Sequence, residues 1–358
     1  MEAYYNQLLQ HLDGYTVQGL FDGNREIKDI VTLQQGTKGH VFFFDQEPMI
    51  ASMDQELWRY VFSKPTIFAN SELNSVDKTH LRENYPNFVD WYYFSHGLLA
   101  SEWFGSQYMT NANDWPYEFE TWHTPKMFTF DCNLITGPRQ YRLKIFHELH
   151  KKGLVDYSFY SFNASHDWHS DLKKYDHFNL LREPLAFPLS DVSHDQFGKA
   201  THSRSTVADV PLATVIPLET YHKAHVVLVL ETLFTENKKH LTEKTFKPIA
   251  AAKPFVLAGG YQNLQYLKQY GFETFDSVWN ESYDNIKDPT DRLHAIVDLL
   301  DYLCHLSYAQ QKDIMFAAHE IAVKNWYKFW TGYTEFMCKT EALNNLTIAK
   351  AELESMQI

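Results

Sequence analysis

The side chains best suited to chemistry lie at one predicted helix start, Thr242 to Thr245. An apolar run, Ala224 to Leu230, precedes this segment and ends on Glu231. Threonine is a preferred helix cap, and Glu243 would lie in the first turn, where negative charge is favourable. A helix start also offers unpaired amide donors, so Lys244 beside it predicts a site for an anion. A capped surface helix explains the same residues without a ligand, and both interpretations stay open here.

A second set of polar side chains follows another apolar run near the start of the chain. Val41 to Phe44 has the length of a buried strand, and Asp45-Gln46-Glu47-Pro48 comes directly after it. Ligands of open α/β folds bind beyond the carboxyl ends of strands, which makes Asp45 and Glu47 candidate site residues. A strand-terminal turn stabilised by Pro48 is the alternative.

Strand and helix patterns alternate along most of the chain, which predicts an α/β fold with parallel sheets and right-handed crossovers. The remaining predicted strands cover residues 66–68, 88–94, 127–134 and 155–162, a second strand before Gly259, and a candidate last strand at 272–275. The predicted helices cover residues 4–12, 98–104, 141–150, 264–270, 289–306 and 308–343, and Asn70-Ser71 is a candidate helix cap. Pro248 lies beyond the first turn of the helix that begins near Thr242 and predicts a kink or a late start there.

The length of 358 residues favours two domains. Residues 111–125 are rich in Asn, Trp and Pro and lack periodicity, so we place the domain junction there. This gives an N-terminal domain over residues 1–122, a C-terminal domain over 123–340 and a helical tail over 341–358. The irregular stretch at 163–223 predicts an insertion or a set of loops within the second domain.

Composition restricts the class of protein further. The aromatic share of 16% can fill large cores or line a cleft for sugars or bases, and the net charge of −13 opposes long-range attraction to nucleic acid. Cys132, Cys304 and Cys338 are far apart and odd in number, which predicts reduced thiols. No signal peptide or membrane-spanning run is visible, so we expect a cytoplasmic protein.

The segment from Val227 to Gly260, VLVLETLFTENKKHLTEKTFKPIAAAKPFVLAGG, resembles the donor-binding signature of α1,3-fucosyltransferase-type enzymes. That signature is an apolar strand ending in Phe-Glu-Asn, a variable loop, Thr-Glu-Lys, a helix, and Val-Pro-Val with a glycine. The positions that match in order are Glu231, Thr242-Glu243-Lys244, Lys253-Pro254-Phe255-Val256 and Gly259. The chain departs from the signature at Thr232, where the family has asparagine, and the residues that recognise the base do not align. With its early Asp-Gln-Glu-Pro, the chain also looks like glycosyltransferase-like proteins of phages and bacteria.

This resemblance implies a GT-B fold, in which two Rossmann-like domains with parallel sheets face a central cleft. It implies that the C-terminal domain binds a nucleotide-sugar donor, with Glu231 and Thr242 in the donor site. Glu243 would hold the ribose and Lys244 a phosphate. The family also has an arginine at the start of the first crossover helix of this domain, in contact with the donor diphosphate.

Two arginines of this chain are candidates for that contact. Arg142 is the closer positional match and Arg139 the alternative. An arginine at a helix start is slightly unfavourable to the helix dipole, which agrees with a bound anion. A surface arginine without a ligand is the other interpretation of either residue.

On the acceptor side, the family carries a glutamate followed shortly by proline, which is thought of as the general base. Glu47 resembles it and Asp45 is the runner-up, while His96 and Glu102 are weaker acceptor-side candidates. An inverting transfer needs such a carboxylate to remove the proton of the acceptor hydroxyl. Lys244, an arginine and helix amides would stabilise the leaving diphosphate, so no metal or other cofactor is expected. The chain has no Asp-x-Asp motif.

Other interpretations remain open at this point. A phage-like enzyme could glycosylate modified bases in DNA instead of a glycan, in which case its location would be the host cytoplasm. A sugar- or nucleotide-binding module without activity is the alternative outside the enzymes. The histidines and aspartates at 166, 167, 169 and 171 are typical of a solvated loop and, less so, of a metal site.

Overall fold

A computed structural model describes residues 8–20, 26–44, 50, 53–108, 126–132, 139–162, 178, 194–195 and 215–356 of the chain. The chain divides into two compact units. The first consists of Met1–Leu99 together with Thr334–Ile358, and the second of Ala100–Tyr333. Each unit contains a five-stranded, mainly parallel sheet with helices, which confirms the predicted α/β class.

The first sheet has the strand order β2-β1-β3-β4-β5. Its strands are β1 (Thr16–Gly19), β2 (Val31–Gln34), β3 (His40–Phe43), β4 (Thr66–Asn70) and β5 (Phe88–Tyr92). Only the β1–β2 pair is antiparallel. The helices of this part of the chain are α1 (Gln55–Val61), α2 (Val76–Asn84) and α3 (Ser95–Tyr108). Aromatic rings fill the core on one face of the sheet, where Phe68 packs against Phe42, Phe44 and Trp58.

The last helix of the chain, α10 (Tyr333–Ser355), packs within the first unit although it is far away in sequence. The buried indole of Trp91 on β5 donates a 2.9 Å hydrogen bond to the carbonyl of Ala342. The amide of Asn345 donates to the carbonyl of Tyr92 at 3.0 Å. These bonds fix the helix along the last strand of the sheet.

The second sheet has the strand order β10-β9-β6-β7-β8. Its strands are β6 (Lys126–Cys132), β7 (Ser158–Phe162), β8 (His194–Asp195), β9 (Ala224–Leu230) and β10 (Phe255–Ala258), and only β8 is antiparallel to its neighbour. The helices are α4 (Tyr141–Lys151), α5 (Leu218–His222), α6 (Glu243–Ala250), α7 (Asn263–Gln269), α8 (Pro289–Cys304) and α9 (Tyr308–Trp330). The chain first builds outward from β6 through β7 and then returns to place β9 on the other side of β6. The strand order therefore reverses between β6 and β9, which is where ligands of such sheets bind.

Several local predictions are corrected by the structure. Phe272–Phe275 is not a strand: the backbone of Glu273 bonds the amide of Asn325, at 2.8 and 2.7 Å, and the amide of Phe275 donates to the carboxylate of Glu281 at 3.1 Å. Side chains thus take the bonds that a sheet partner would supply. The predicted cap at Asn70-Ser71 lies at the end of β4, and Ser75 is the residue that precedes α2. Strands β1 and β2 and helices α1 and α2 were not predicted from the sequence.

The three cysteines are free, as their number and spacing predicted, and all three are buried. Pro248 lies inside α6, as expected, but the helix begins at Glu243 and not later. No helix in the described part of the chain is both long and apolar enough to cross a bilayer.

Two glycines of helix α3 give a matched test of this packing. A Cβ on Gly97 would lie 2.6 Å from the sulfur of Cys338 on α10 and 2.7 Å from the ring of Phe94, whereas a Cβ on Gly105 would meet nothing within 4 Å. We expect Gly97→Ala to lower the free energy of unfolding by about 1–3 kcal/mol through overpacking. Gly105→Ala should raise it by up to about 1 kcal/mol, because alanine is the better helix former.

Urea denaturation of the whole chain measures both effects. Because the sulfur of Cys338 is one of the two close atoms, Gly97→Ala should cost less in a Cys338→Ala background. A Gly97→Ala protein as stable as the wild type would contradict this packing of α3 against α10.

Candidate functional site

The candidate site lies at the carboxyl edge of the second sheet, at the point where the strand order reverses. The segments that follow β6 and β9 meet there: helix α4 begins at Tyr141 and helix α6 at Glu243. Parallel strands with crossovers on both faces leave an opening at this edge, with two helix starts directed at it. The residues of the predicted anion site are therefore at the expected edge of the sheet.

Glu231, the first residue after β9, joins the strand to helix α6. Its side chain is fully buried. One carboxylate oxygen accepts from the amide of Thr242 at 3.0 Å and from the hydroxyl of Thr245 at 2.5 Å. The other accepts from the hydroxyl of Thr242 at 2.7 Å and from the amide of Thr232 at 3.1 Å. Two amides and two hydroxyls thus compensate the buried charge, and they fix the position at which the helix begins.

Helix α6 presents its charged residues at this start. Thr242 is the N-cap, and its hydroxyl accepts from the amide of Lys244 at 3.3 Å. The ammonium of Lys244 lies 2.7 Å from the carboxylate of Glu243. The Lys244 side chain is 29% exposed and that of Glu243 12% exposed, so both are accessible to a ligand while the cap beneath them is buried. A cation and amide donors can bind a diphosphate, and a carboxylate can accept hydrogen bonds from a ribose.

Tyr141 and Arg142, at the start of α4, fix the other side of the opening. The guanidinium of Arg142 donates to the carbonyl of Leu230 at 2.7 Å and to that of Glu231 at 3.0 Å. The hydroxyl of Tyr141 donates to the carbonyls of Glu231 and Ala258, and burial raises its pKa. The structure thus gives the buried Arg142 contacts with the backbone at the end of β9. Arg139, two residues before the helix, is partly exposed.

A second polar cluster lies on the face of the sheet that α6 covers. Asp131 on β6 is exposed, and it accepts a 2.7 Å hydrogen bond from the hydroxyl of Ser161 on β7. Lys247 follows Lys244 by three residues and so lies on the same side of the helix. Burial lowers the pKa of Lys247, while the negative charges of Glu243 and Asp131 act in the opposite direction. These residues extend the site by one helical turn.

Not every residue that matches the family signature reaches this site. Thr232, which takes the place of the family's asparagine, is buried, and its hydroxyl has no hydrogen-bond partner among the described residues. Lys253 lies at the opposite edge of the sheet and donates to the carbonyl of Ala224, the first residue of β9, at 2.9 Å. Burial lowers the pKa of Lys253 to about 7. Lys253 therefore belongs to the packing of the sheet.

The structure describes two of the four acceptor-side candidates. Asp45 and Glu47 lie outside the described residues. His96 is buried at the start of α3, with a ring nitrogen 3.3 Å from the hydroxyl of Ser95, whereas Glu102 is exposed. Six residues of helix separate His96 from Glu102, which is about 9 Å along the axis and about 120° around it. The helix thus does not bring these two side chains together.

The residues that sequence reasoning missed are Tyr141, Asp131, Ser161 and Lys247. Asp131 and Ser161 face each other in the β6–β7 register, so strand pairing connects them and no motif does. Lys247 could have been found from its helical spacing to Lys244. The structure contains no group of three or more His, Cys, Asp or Glu placed to hold a metal within the described ranges, and residues 166–171 lie outside them.

Comparisons with known proteins give weak structural likeness only. No family model and no curated protein matches the chain. Among solved structures, the chain is similar to an α,α-trehalose-phosphate synthase (UDP-forming) from Burkholderia vietnamiensis, with a TM-score of 0.36 and 11% identity over 88% of this chain and 68% of that one. A likeness at this level shows neither a family nor an activity for this chain.

The buried carboxylate of Glu231 generates a stability prediction. Glu231→Gln replaces one acceptor oxygen by an amide that faces hydroxyl and backbone donors, so we expect the free energy of unfolding to fall by about 1–3 kcal/mol. Glu320→Gln is the matched control, because Glu320 is exposed on α9. Urea denaturation of the two variants measures the difference. Equal stability of both variants would show that the carboxylate does not hold the helix start.

Proposed function

We propose that this protein is a glycosyltransferase of the GT-B type, which moves a sugar from a nucleotide-sugar donor to a hydroxyl acceptor. The observation that carries the proposal is the start of helix α6 at the reversal point of the second sheet. There, Glu243 and Lys244 are accessible above a cap that Glu231 fixes. The resemblance of this segment to the α1,3-fucosyltransferase-type signature supports the same assignment.

The donor diphosphate would bind against the start of α6. Lys244 supplies a compact positive charge, and the first amides of the helix supply donors. Glu243 can accept hydrogen bonds from the vicinal hydroxyls of a ribose. In the absence of ligand the two side chains form an ion pair with each other at 2.7 Å. Binding would exchange this ion pair for contacts with phosphate and ribose.

Glu231 and Arg142 would serve the donor site as positioning residues. The Glu231 carboxylate already accepts from two amides and two hydroxyls, and Arg142 donates to the last carbonyls of β9. Their contribution is a rigid opening between α4 and α6, since neither side chain is exposed. Of the two arginines, the partly exposed Arg139 is then the candidate for direct contact with the diphosphate.

The chemistry follows from these assignments and from the family resemblance. Glu47, with Asp45 as runner-up, would remove the proton of the acceptor hydroxyl, and His96 and Glu102 remain weaker candidates for holding the acceptor. The acceptor oxygen then forms a bond to the anomeric carbon while the bond from that carbon to the diphosphate oxygen breaks on the opposite face. Lys244 and the amides of α6 would stabilise the charge that develops on the diphosphate. The transfer would invert the configuration and require no metal.

Donor binding and hydrolysis test this proposal. We expect thermal-shift screening with UDP, GDP, CMP and dTDP compounds to give one stabilising nucleotide, because a ligand of the folded state raises its stability by mass action. Slow hydrolysis of the matching nucleotide sugar should then be measurable. Lys244→Ala should reduce its rate by about 10²–10³-fold, whereas Lys312→Ala, an exposed lysine on α9, should have no effect.

The outcomes separate the open interpretations. Binding of a nucleotide sugar without hydrolysis or transfer would identify a binding module, and retention on DNA at low salt would favour a DNA acceptor. No stabilisation by any nucleotide would refute the proposal. A Glu47→Gln variant that keeps full transfer activity would remove the assigned general base.

A further inference from the structure

A tyrosine flanked by lysines lies at the carboxyl end of β10, next to the candidate donor site. The ammonium of Lys239 is 5.1 Å from the centre of the Tyr261 ring and that of Lys287 is 5.7 Å from it, both within the range of a cation–π interaction. Tyr261 is partly exposed, Lys239 is buried and Lys287 is exposed. Two ammonium groups thus lie over a partly exposed aromatic ring at the ligand-binding edge of the sheet.

The backbone around Tyr261 is held by close packing. The ammonium of Lys239 donates to the carbonyl of Tyr261. A Cβ on Gly260 would lie 3.0 Å from the carbonyl oxygen of Glu236 and 3.2 Å from that of Lys238, so a side chain here would push the loop after β9 away by a few tenths of an ångström. The loop and the Tyr261 turn therefore form one surface.

Arg292 on α8 fixes the segment that carries Lys287. Its buried guanidinium donates to the carbonyls of Ile286, at 2.6 Å, and Lys287, at 3.2 Å, and also to that of Phe234 in the loop after β9. The nearby carboxylates, those of Asp284 and Glu236, have partners within the protein. Both carboxylate oxygens of Asp284 accept from backbone amides, at 3.0 and 3.2 Å, and Glu236 pairs with Lys238 at 3.1 Å. The ammonium of Lys287 pairs with no carboxylate in the described part of the chain.

Lys239 links the Tyr261 surface to helix α6. Lys239 contacts Tyr261, and Thr242, the cap of α6, follows Lys239 by three residues. Three residues of extended chain span at most about 11 Å. Tyr261 and the start of α6 thus lie in neighbouring segments at the same edge of the sheet.

We propose that Tyr261, Lys239 and Lys287 form the subsite for the nucleobase of the donor, and this rests on the proposed function. The base stacks on the Tyr261 ring in place of the exposed Lys287 ammonium, as bases stack on aromatic side chains of single-strand-binding proteins. Its ribose and diphosphate continue toward Glu243 and Lys244. Lys239 fixes the ring, and Lys287 donates a hydrogen bond to the edge of the base.

The chemistry of the cluster also selects the class of base. Lysine ammonium groups are donors only, so they complement carbonyl oxygens. Guanine presents such acceptors at its edge, as do the oxygens of uracil and thymine, whereas cytosine and adenine present an amino group at the corresponding position. The buried carboxylate of Asp284, which could accept from an amino group, already accepts from backbone amides with both oxygens. The subsite therefore takes guanine, uracil or thymine, whose carbonyl oxygen lies where cytosine and adenine have the amino group.

Calorimetric titration of the full-length protein with pyrophosphate, GDP, UDP, dTDP, CDP and ADP tests this assignment. GDP, UDP or dTDP should bind more tightly than pyrophosphate and more tightly than CDP or ADP. Tyr261→Ala should weaken that nucleotide by on the order of 10- to 100-fold and leave pyrophosphate affinity unchanged. Tyr261→Phe should keep most of the affinity, and Lys287→Ala should cost roughly tenfold. The matched controls are Tyr308→Ala and Lys312→Ala, both exposed on α9.

The outcomes distinguish the failure of this inference from that of the proposed function. If a nucleotide binds and Tyr261→Ala and Lys287→Ala bind it as tightly as the wild type, the base subsite is refuted while the donor site at α6 stands. A wild type that prefers CDP or ADP would overturn the assigned class of base. If neither pyrophosphate nor any nucleotide binds, the proposed function fails and the inference with it.

Discussion

The candidate site depends on one buried interaction, the carboxylate of Glu231 beneath the start of helix α6. A charge in that position is costly unless donors surround it, and two amides and two hydroxyls do so. The same bonds satisfy donors of the helix start and of its cap, so the helix begins at one fixed position relative to the end of β9. Glu243 and Lys244 are accessible because Thr242 and Thr245 turn inward to Glu231.

The opening beside this helix is maintained from the other side by α4. Tyr141 and Arg142 both donate to backbone carbonyls at the end of β9, and Tyr141 also reaches the end of β10. The ends of β9 and β10 are thereby joined to the start of α4 at this edge of the sheet. These bonds fix the backbone around the helix start, and the ion pair of Lys244 with Glu243 is the part that a bound anion would rearrange. Arg292 likewise donates to a carbonyl in the loop after β9 and to one in the segment that carries Lys287.

Much of this arrangement could be predicted from the sequence, and the reasons differ between elements. The strands β3, β4, β5, β6, β7 and β9 appeared as apolar runs, and α6 was signalled by Thr242 and Glu243. The role of Glu231 could not be predicted, because it depends on Thr242 and Thr245 folding back onto a carboxylate more than ten residues earlier. Asp131 with Ser161, and Tyr261 with Lys287, are likewise contacts between distant segments. Phe272–Phe275 has the composition of a strand, but Asn325 and Glu281 take up its backbone bonds.

Hydrogen–deuterium exchange at the start of α6 tests the central claim most directly. The account predicts that pyrophosphate, and more strongly the preferred nucleoside diphosphate, slows exchange of the amides from Glu243 to Thr245 in the wild type. Lys244→Ala should lose most of this protection at the same ligand concentration. If a ligand bound and protected other segments while these amides exchanged as before, the helix start that Glu231 fixes would not be the anion site.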